Sequence, residues 1–199
     1  HDMQIDGGDE LVFRSDLIPL EERHDVPAGV LMVSQDITDS VRERKRREQA
    51  MRDLVGALVS VVDRRDPYSA NHSVRVSEVS RAVAEEMGLD EIAVDTTVIA
   101  GSLMNLGKIT VPEETLTKQG ALSDEELDLI KHSVLISAEM VDGIQFDGPV
   151  QNTIRQLQEN YNGGGFPEGL EGDAILVTAR VAAVANAFVG MVSARAWRD

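Results

Sequence analysis

The sequence predicts a mainly α protein: a helical bundle preceded by a short N-terminal β-hairpin fragment and a long connecting helix. Three observations predict it. Apolar residues recur at helical spacing through most of the chain after Asp39. The strand-like runs, Leu11-Val12-Phe13 and Gly29-Val30-Leu31-Met32-Val33, are confined to the stretch before Thr38. Glycine and proline then punctuate the helical stretches at Pro67, Gly88, Gly107, Pro112 and Gly163 to Pro167. A chain of 199 residues accommodates one or two domains, and 42% hydrophobic content suffices for an ordinary core.

The formal net charge of -16 argues against a broad nucleic-acid or anionic-membrane surface, because such partners require clustered Lys and Arg to displace counterions. A small anionic ligand in a local basic pocket remains compatible with it. The chain has no cysteine, so it forms neither disulfides nor thiolate metal sites, which fits a reducing cytoplasm. The weakly charged run from Ala174 to Val192 is interrupted by Arg180 and Asn186, so a buried core helix is expected there rather than a membrane span.

Taken in order, residues 1–38 should form two or three strands, with Gly7-Gly8-Asp9-Glu10 as a hairpin turn. The dipeptides His1-Asp2 and His24-Asp25 follow no helical pattern and carry no weight as metal ligands. Thr38 or Asp39 should cap a long helix with apolar positions at Met51, Leu54, Val55, Leu58, Val61 and Val62. Its first half, Val41 to Arg52, carries six basic residues against two acidic ones. Two readings stand for that half: a solvated charged face, or parallel helix pairing in a homodimer.

After Asp66-Pro67, Ser69 or Asn71 should cap a helix that places Val76, Val79 and Val83 on one face and ends at Gly88. His72 lies on that face, one turn before Val76, where a hydrogen-bonded core residue is the expectation. Glu91 to Leu103 has helical register through Ile92, Ile99 and Leu103, and Gly107 with Pro112 marks its end, so Leu103 to Pro112 should be a turn facing the core. Ser123 and Glu126 form a capping box ahead of Leu127, Ile130, Val134, Ala138 and Val141. Another helix should carry Val150, Ile154, Leu157 and Tyr161 on its stripe, and Gly163-Gly164-Gly165-Phe166-Pro167 then breaks the chain. The last helix, about Ile175 to Ser193, is apolar nearly all round and is expected at the centre of the core.

Three ordered landmarks, Asp63 to Val76, Leu103 to Pro112 and Gly165-Phe166-Pro167, resemble the HD-GYP family across about Asp63 to Arg198. Its members are bacterial cyclic di-GMP phosphodiesterases of the HD phosphohydrolase superfamily, so the resemblance implies an HD-domain-like helical bundle. Asp36-Ile37-Thr38, after the second strand-like run, resembles the end of a PAS sensor domain. The expected organisation is thus a C-terminal PAS fragment at 1–38, a connecting signalling helix at 39–65 and an HD-GYP-like domain at 66–199.

An HD-type centre needs several imidazoles and carboxylates converging on divalent cations. Of the four histidines, only His72 and His132 lie in the helical part, too few for such a centre. The resemblance locates the losses. The family's His-Asp pair falls on Met104 and Asn105, its next histidine on Ser133, its paired histidines on Leu157 and Gln158, and its closing aspartate on Asn186. His132 is one residue out of register, about 100° around the helix. His72 matches a histidine used by members holding a third metal, and Tyr68 replaces the glutamate that joins it. Phe166 replaces the tyrosine of the Gly-Tyr-Pro loop.

The expectation is therefore no bound metal, no cofactor and no catalytic residue at these positions. Lys108, Arg195 and Arg198 match basic residues that meet phosphate in the family. Together with Gly165, Phe166 and Pro167 they are the candidate ligand-binding set, either for a nucleotide phosphate or as ordinary rim charges. A pocket lined by Asn105, Gln158 and Asn186 would lie beside them. The functional expectation is a catalytically inactive regulatory module of a bacterial signalling protein, homodimeric through the connecting helix and contacting a protein partner. The alternatives are a receptor that binds cyclic di-GMP without hydrolysis and an active phosphodiesterase.

Overall fold

A computed structural model describes residues 2–3, 11–20, 29–65 and 71–193. The Gly7 to Glu10 turn and the positions of His1, His24, Tyr68, Ser69, Arg195 and Arg198 lie outside the described residues. The chain divides into two compact units, residues 1–54 and 55–199.

The first unit contains an antiparallel sheet of β1 (Asp2–Met3), β2 (Leu11–Leu20) and β3 (Gly29–Asp36), in that order. The β2–β3 register runs from Phe13 opposite Asp36 to Leu20 opposite Gly29. Side chains alternate across a strand, so Leu17 and Met32 share one face while Ile18 and Leu31 share the other. All four are exposed. The α1 helix (Thr38–Asp63) begins immediately after β3. Its cap departs from expectation: Thr38 is the first helical residue and Asp36 does the capping, its carboxylate accepting from the Thr38 amide at 2.9 Å. Thr38 instead turns its buried hydroxyl to accept from Val12 N at 2.9 Å, tying the helix start to β2. The hydrogen bonds from Thr38, side chain first and backbone second, hold the Asp36 carboxyl below the usual range.

The second unit is all helical: the end of α1, then α2 (His72–Glu86), α3 (Glu91–Leu103), α4 (Glu113–Leu116), α5 (Asp124–Met140), α6 (Val150–Arg155) and α7 (Val177–Val192). Helix α2 packs on α3 and α7, and α6 packs on α3 and α5. Asn71 precedes α2 in a left-handed conformation and makes no side-chain cap. Gly88, at φ 69°, ends α2, with its amide on Glu85 O and that of Leu89 on Ala84 O. Asp90 caps α3 through Ala93 N at 2.8 Å. Val76, Leu103, Ile154 and Val189 meet at the centre of the core, each no more than 2% exposed.

Two expected helices are corrected. The α6 helix stops at Arg155, and the chain tightens into successive turns through Leu157 N to Ile154 O and Glu159 N to Gln156 O. Leu157 therefore remains buried, but Tyr161 is 65% exposed and off the core stripe. The α7 helix buries one face only: Ala182, Ala185 and Val189 are fully enclosed, whereas Val184, Phe188 and Met191 are exposed. Its apolar composition exceeds what the core uses.

The capping box of α5 forms as expected, with Ser123 Oγ accepting from Glu126 N and the Glu126 carboxylate accepting from Ser123 N. Lys118 Nζ also donates to Glu126 at 2.5 Å. Lys118 first, then the Ser123 amide, hold the Glu126 carboxyl below the usual range. A carboxylate lowered in the folded state contributes stability that is complete above its unfolded pKa and is lost as pH falls through its folded value. Denaturation midpoints measured across the acid range should accordingly fall with pH, and E126Q should flatten part of that fall.

Candidate functional site

The predicted turn ends α3 and crosses to α5. Leu103, Met104, Asn105 and Gly107 are buried, and residues 106–110 form a 3-10 turn. Ser137 on α5 holds this turn. Its hydroxyl accepts from Gly107 N at 2.8 Å and lies within donating range of the carbonyls of Met104, at 2.7 Å, and Ser133, at 3.0 Å. Gly107 has no room for a side chain: a Cβ there would enter the Ser133 carbonyl and stand 2.8 Å from Ser137 N. On the outer side, the Arg65 guanidinium donates to Ile109 O at 2.5 Å and Val111 O at 3.4 Å. The turn is fixed from both sides.

Each predicted site residue among the described residues has a definite place. Met104 and Leu157 belong to the hydrophobic core cluster with Ala185 and Val189. Asn105, 8% exposed, donates through Nδ2 to Ser73 Oγ at 3.3 Å, and Ser73 donates to Asp63 Oδ1 at 3.1 Å. This buried chain links the end of α1, the start of α2 and the end of α3. Asn186 Oδ1 is 2.9 Å from His72 Nε2, joining α7 to α2 and giving His72 the hydrogen-bonded core role expected of it. Ser133, 1% exposed, donates to Ile130 O of its own helix at 2.7 Å. Gln158 donates to Lys131 O on α5 at 3.0 Å.

The three amides thus engage three different partners. Asn105 faces Ser73, Asn186 faces His72, and Gln158 faces the α5 backbone. Lys108 is half-buried in the 3-10 turn. Arg195 and Arg198 lie outside the described residues. Among the described residues, no group of three or more His, Cys, Asp or Glu side chains is gathered as a metal site would need.

The glycine-rich loop forms a second element of the site. Gly165 is pressed against the backbone of Glu159 and Asn160, where any Cβ would collide. Phe166 N donates to Gln158 O at 3.0 Å, and the Phe166-Pro167 peptide is cis. The Phe166 ring lies edge-on to His132, with centroids 5.1 Å apart, and Lys131 Nζ sits 4.5 Å from its centroid. His132 is exposed on α5, out of register with buried Ser133, as the helical rotation requires. An open cleft of about 560 Å³, lined by Ile144 to Asn152 in the connection after α5 and the start of α6, contains none of the predicted site residues.

Glu159 was missed in the sequence. It is 7% exposed, and its carboxylate accepts from Glu168 N at 2.7 Å and Leu170 N at 3.0 Å, holding the far side of the loop. No periodicity identifies it, because its partners are backbone amides nine and eleven residues away. Ser73, the partner of Asn105, and Asp63, which accepts from Ser73, were also missed. For Ser137 a signal existed: with Ser133 it places small residues one turn apart on α5, where a neighbouring backbone can approach closely.

Similarity to known proteins agrees with this architecture. The cyclic di-GMP phosphodiesterase response regulator RpfG of Xanthomonas campestris is 32% identical over 188 residues, covering 93% of this chain and 49% of that protein. A cyclic di-GMP phosphodiesterase of Thermotoga maritima is 29% identical over 156 residues, covering 76% of this chain and 42% of that protein. Among solved structures, Bd1817, a HDG"Y"P protein from Bdellovibrio bacteriovorus, matches with a TM-score of 0.53 and 29% identity, covering 61% of this chain and 40% of that one. The chain spans half or less of the length of these relatives. Among the described residues, no helix is long and apolar enough to cross a membrane. Residues 56–199, which include every helix from α2 to α7, match the HD domain family model, and the chain belongs to the HD domain family.

Proposed function

We propose that this chain is a catalytically inactive, HD-GYP-like regulatory module of a bacterial signal transduction protein. The observation that carries the proposal is the way the metal-ligand positions are used. Met104 and Leu157 are core residues, and Asn105, Ser133, Gln158 and Asn186 are each engaged in an internal hydrogen bond. Alkyl, thioether, hydroxyl and neutral amide groups do not compensate a cluster of dications, which binds through imidazole and ionised carboxylate. The donor set does not fit the centre that an HD-type hydrolase uses.

In this reading the geometry of the bundle serves a signal rather than a reaction. The β-hairpin and Asp36-Ile37-Thr38 are the end of a PAS sensor domain, α1 is the connecting helix, and the helical unit contacts a protein partner. Apolar residues on both faces of the β2–β3 hairpin suit a sheet built to be covered. The cytoplasm is the expected compartment.

A second reading is favoured by the relatives, whose printed activities concern cyclic di-GMP. Here Lys108, Arg195 and Arg198, with the Gly165-Phe166-Pro167 loop, hold cyclic di-GMP without cleaving it. Calorimetric titration with cyclic di-GMP separates the two. The regulatory reading predicts no saturable heat. Saturable binding that Arg195→Ala weakens by roughly tenfold or more, as loss of a charge-assisted phosphate contact would, establishes the receptor reading in its place.

A further inference from the structure

We infer that the end of α1 and the 105–111 turn form one switching joint, through which a change in α1 resets the candidate site around Asn105 and Lys108. Two separate links leave the end of the helix. Asp63, 8% exposed, accepts from Ser73 Oγ at 3.1 Å, and Ser73 accepts from Asn105 Nδ2 at 3.3 Å, so one link reaches the first residue of the turn. Two residues beyond Asp63, the Arg65 guanidinium donates to Ile109 O at 2.5 Å and Val111 O at 3.4 Å, so the other reaches its end.

One attachment would leave the turn free to pivot, whereas attachments at both ends do not. Between them Lys108 is held half-buried, its amide on Asn105 O and its carbonyl accepting from Val111 N, both at 3.0 Å. A displacement of the end of α1 therefore carries Asn105 and Lys108 with it or breaks the links. Both links act across the chain rather than along it, since Arg65 lies 44 and 46 residues from its acceptors and Asn105 lies 32 from Ser73.

Helix α1 also has a place to yield. Gly56 is the single glycine among its 26 residues, and a Cβ there would meet nothing within 4 Å. No close approach requires glycine at this position, so what it contributes is a softer helix two turns before Asp63. A soft segment followed by a doubly tied end lets a change in the helix be felt at the turn. The inference rests on the reading of α1 as a connecting helix and not on the loss of the metal centre.

Hydrogen exchange of the full chain tests it, read at the Lys108 and Val111 amides, with the Thr153 amide of α6, bonded to Pro149 O, as the control. Arg65→Ala should speed exchange at the two turn amides about tenfold and leave Thr153 unchanged, as loss of a charge-assisted clamp would. Arg65→Lys keeps the charge without the two-pronged reach and should show the same pattern, so the test stands if the alanine variant folds poorly. Gly56→Ala touches nothing but stiffens the helix, and should slow exchange at the turn roughly two- to fivefold. Combined with Arg65→Ala, it should no longer do so. A turn that responds to Arg65→Ala but not to Gly56→Ala is braced rather than switched, and overturns the inference. So does a Gly56→Ala effect that persists in the double variant, or one that is equal at Thr153. Metal content and hydrolysis are read separately, so the inactive-module reading and this joint can each fail alone.

Discussion

Gly107→Ala is expected to destabilise the helical unit by about 3 kcal/mol or more, at the upper end of what overpacking a close contact costs. The reason is that the 3-10 turn and α5 meet backbone to backbone. An alanine methyl would occupy the space of the Ser133 carbonyl and crowd Ser137 N, neither of which is a flexible side-chain end that can swing away. Relief requires the turn to lift off α5, which breaks the bond from Gly107 N to Ser137 Oγ and leaves Asn105 and Met104 without their seats. Urea denaturation followed by far-ultraviolet circular dichroism measures the loss. A midpoint shift corresponding to less than about 1 kcal/mol would mean the turn is not clamped as described.

Glu159→Ala is expected to cost about 3 kcal/mol, because it removes an acceptor serving two backbone amides, each about 1–3 kcal/mol when left unmade. The buried carboxylate is the bond between the end of the α6 turns and the chain after Pro167. Without it, Glu168 N and Leu170 N lose their acceptor, and the loop carrying Gly165 and Phe166 loses its outer anchor. Glu159→Gln should also destabilise, because an amide offers one oxygen where two are used and presents a donor to a donor. Hydrogen exchange at residues 163–170 distinguishes a local effect from a global one. Protection should fall there first in both variants, with α2 and α3 retaining theirs.

Much of the bundle was legible because its signals are local. The Ser123–Glu126 box, the Gly88 stop and the 3.6-residue stripes of α2, α3 and α5 each depend on residues a few positions apart, and the structure places them as read except at Ile92 and Leu127, which lie in the first turns of α3 and α5 and are exposed. The length of α6 was not legible. Leu157 and Tyr161 continue a helical stripe in the sequence, but the turns after Arg155 are imposed by what Glu159 must reach. The exposed side of α7 was also hidden. Composition reports that Val184, Phe188 and Met191 are apolar, not which of them a neighbour covers.

At the site, the positions picked out by the resemblance could be read individually from the sequence, but their partners could not. Asn105 with Ser73 spans 32 residues and His72 with Asn186 spans 114, distances over which single-sequence periodicity carries no information. Asn186 has the shape of an aspartate without its charge. The amide Oδ1 meets His72 Nε2 as a carboxylate oxygen would, yet adds no negative charge for a dication to use.

The most direct test of the account is elemental analysis of the purified full chain after incubation with manganese or ferrous iron and desalting, paired with a cyclic di-GMP hydrolysis assay. The account predicts metal far below one equivalent per chain and no turnover above buffer. One or more tightly held equivalents, accompanied by linear release of product, would contradict it.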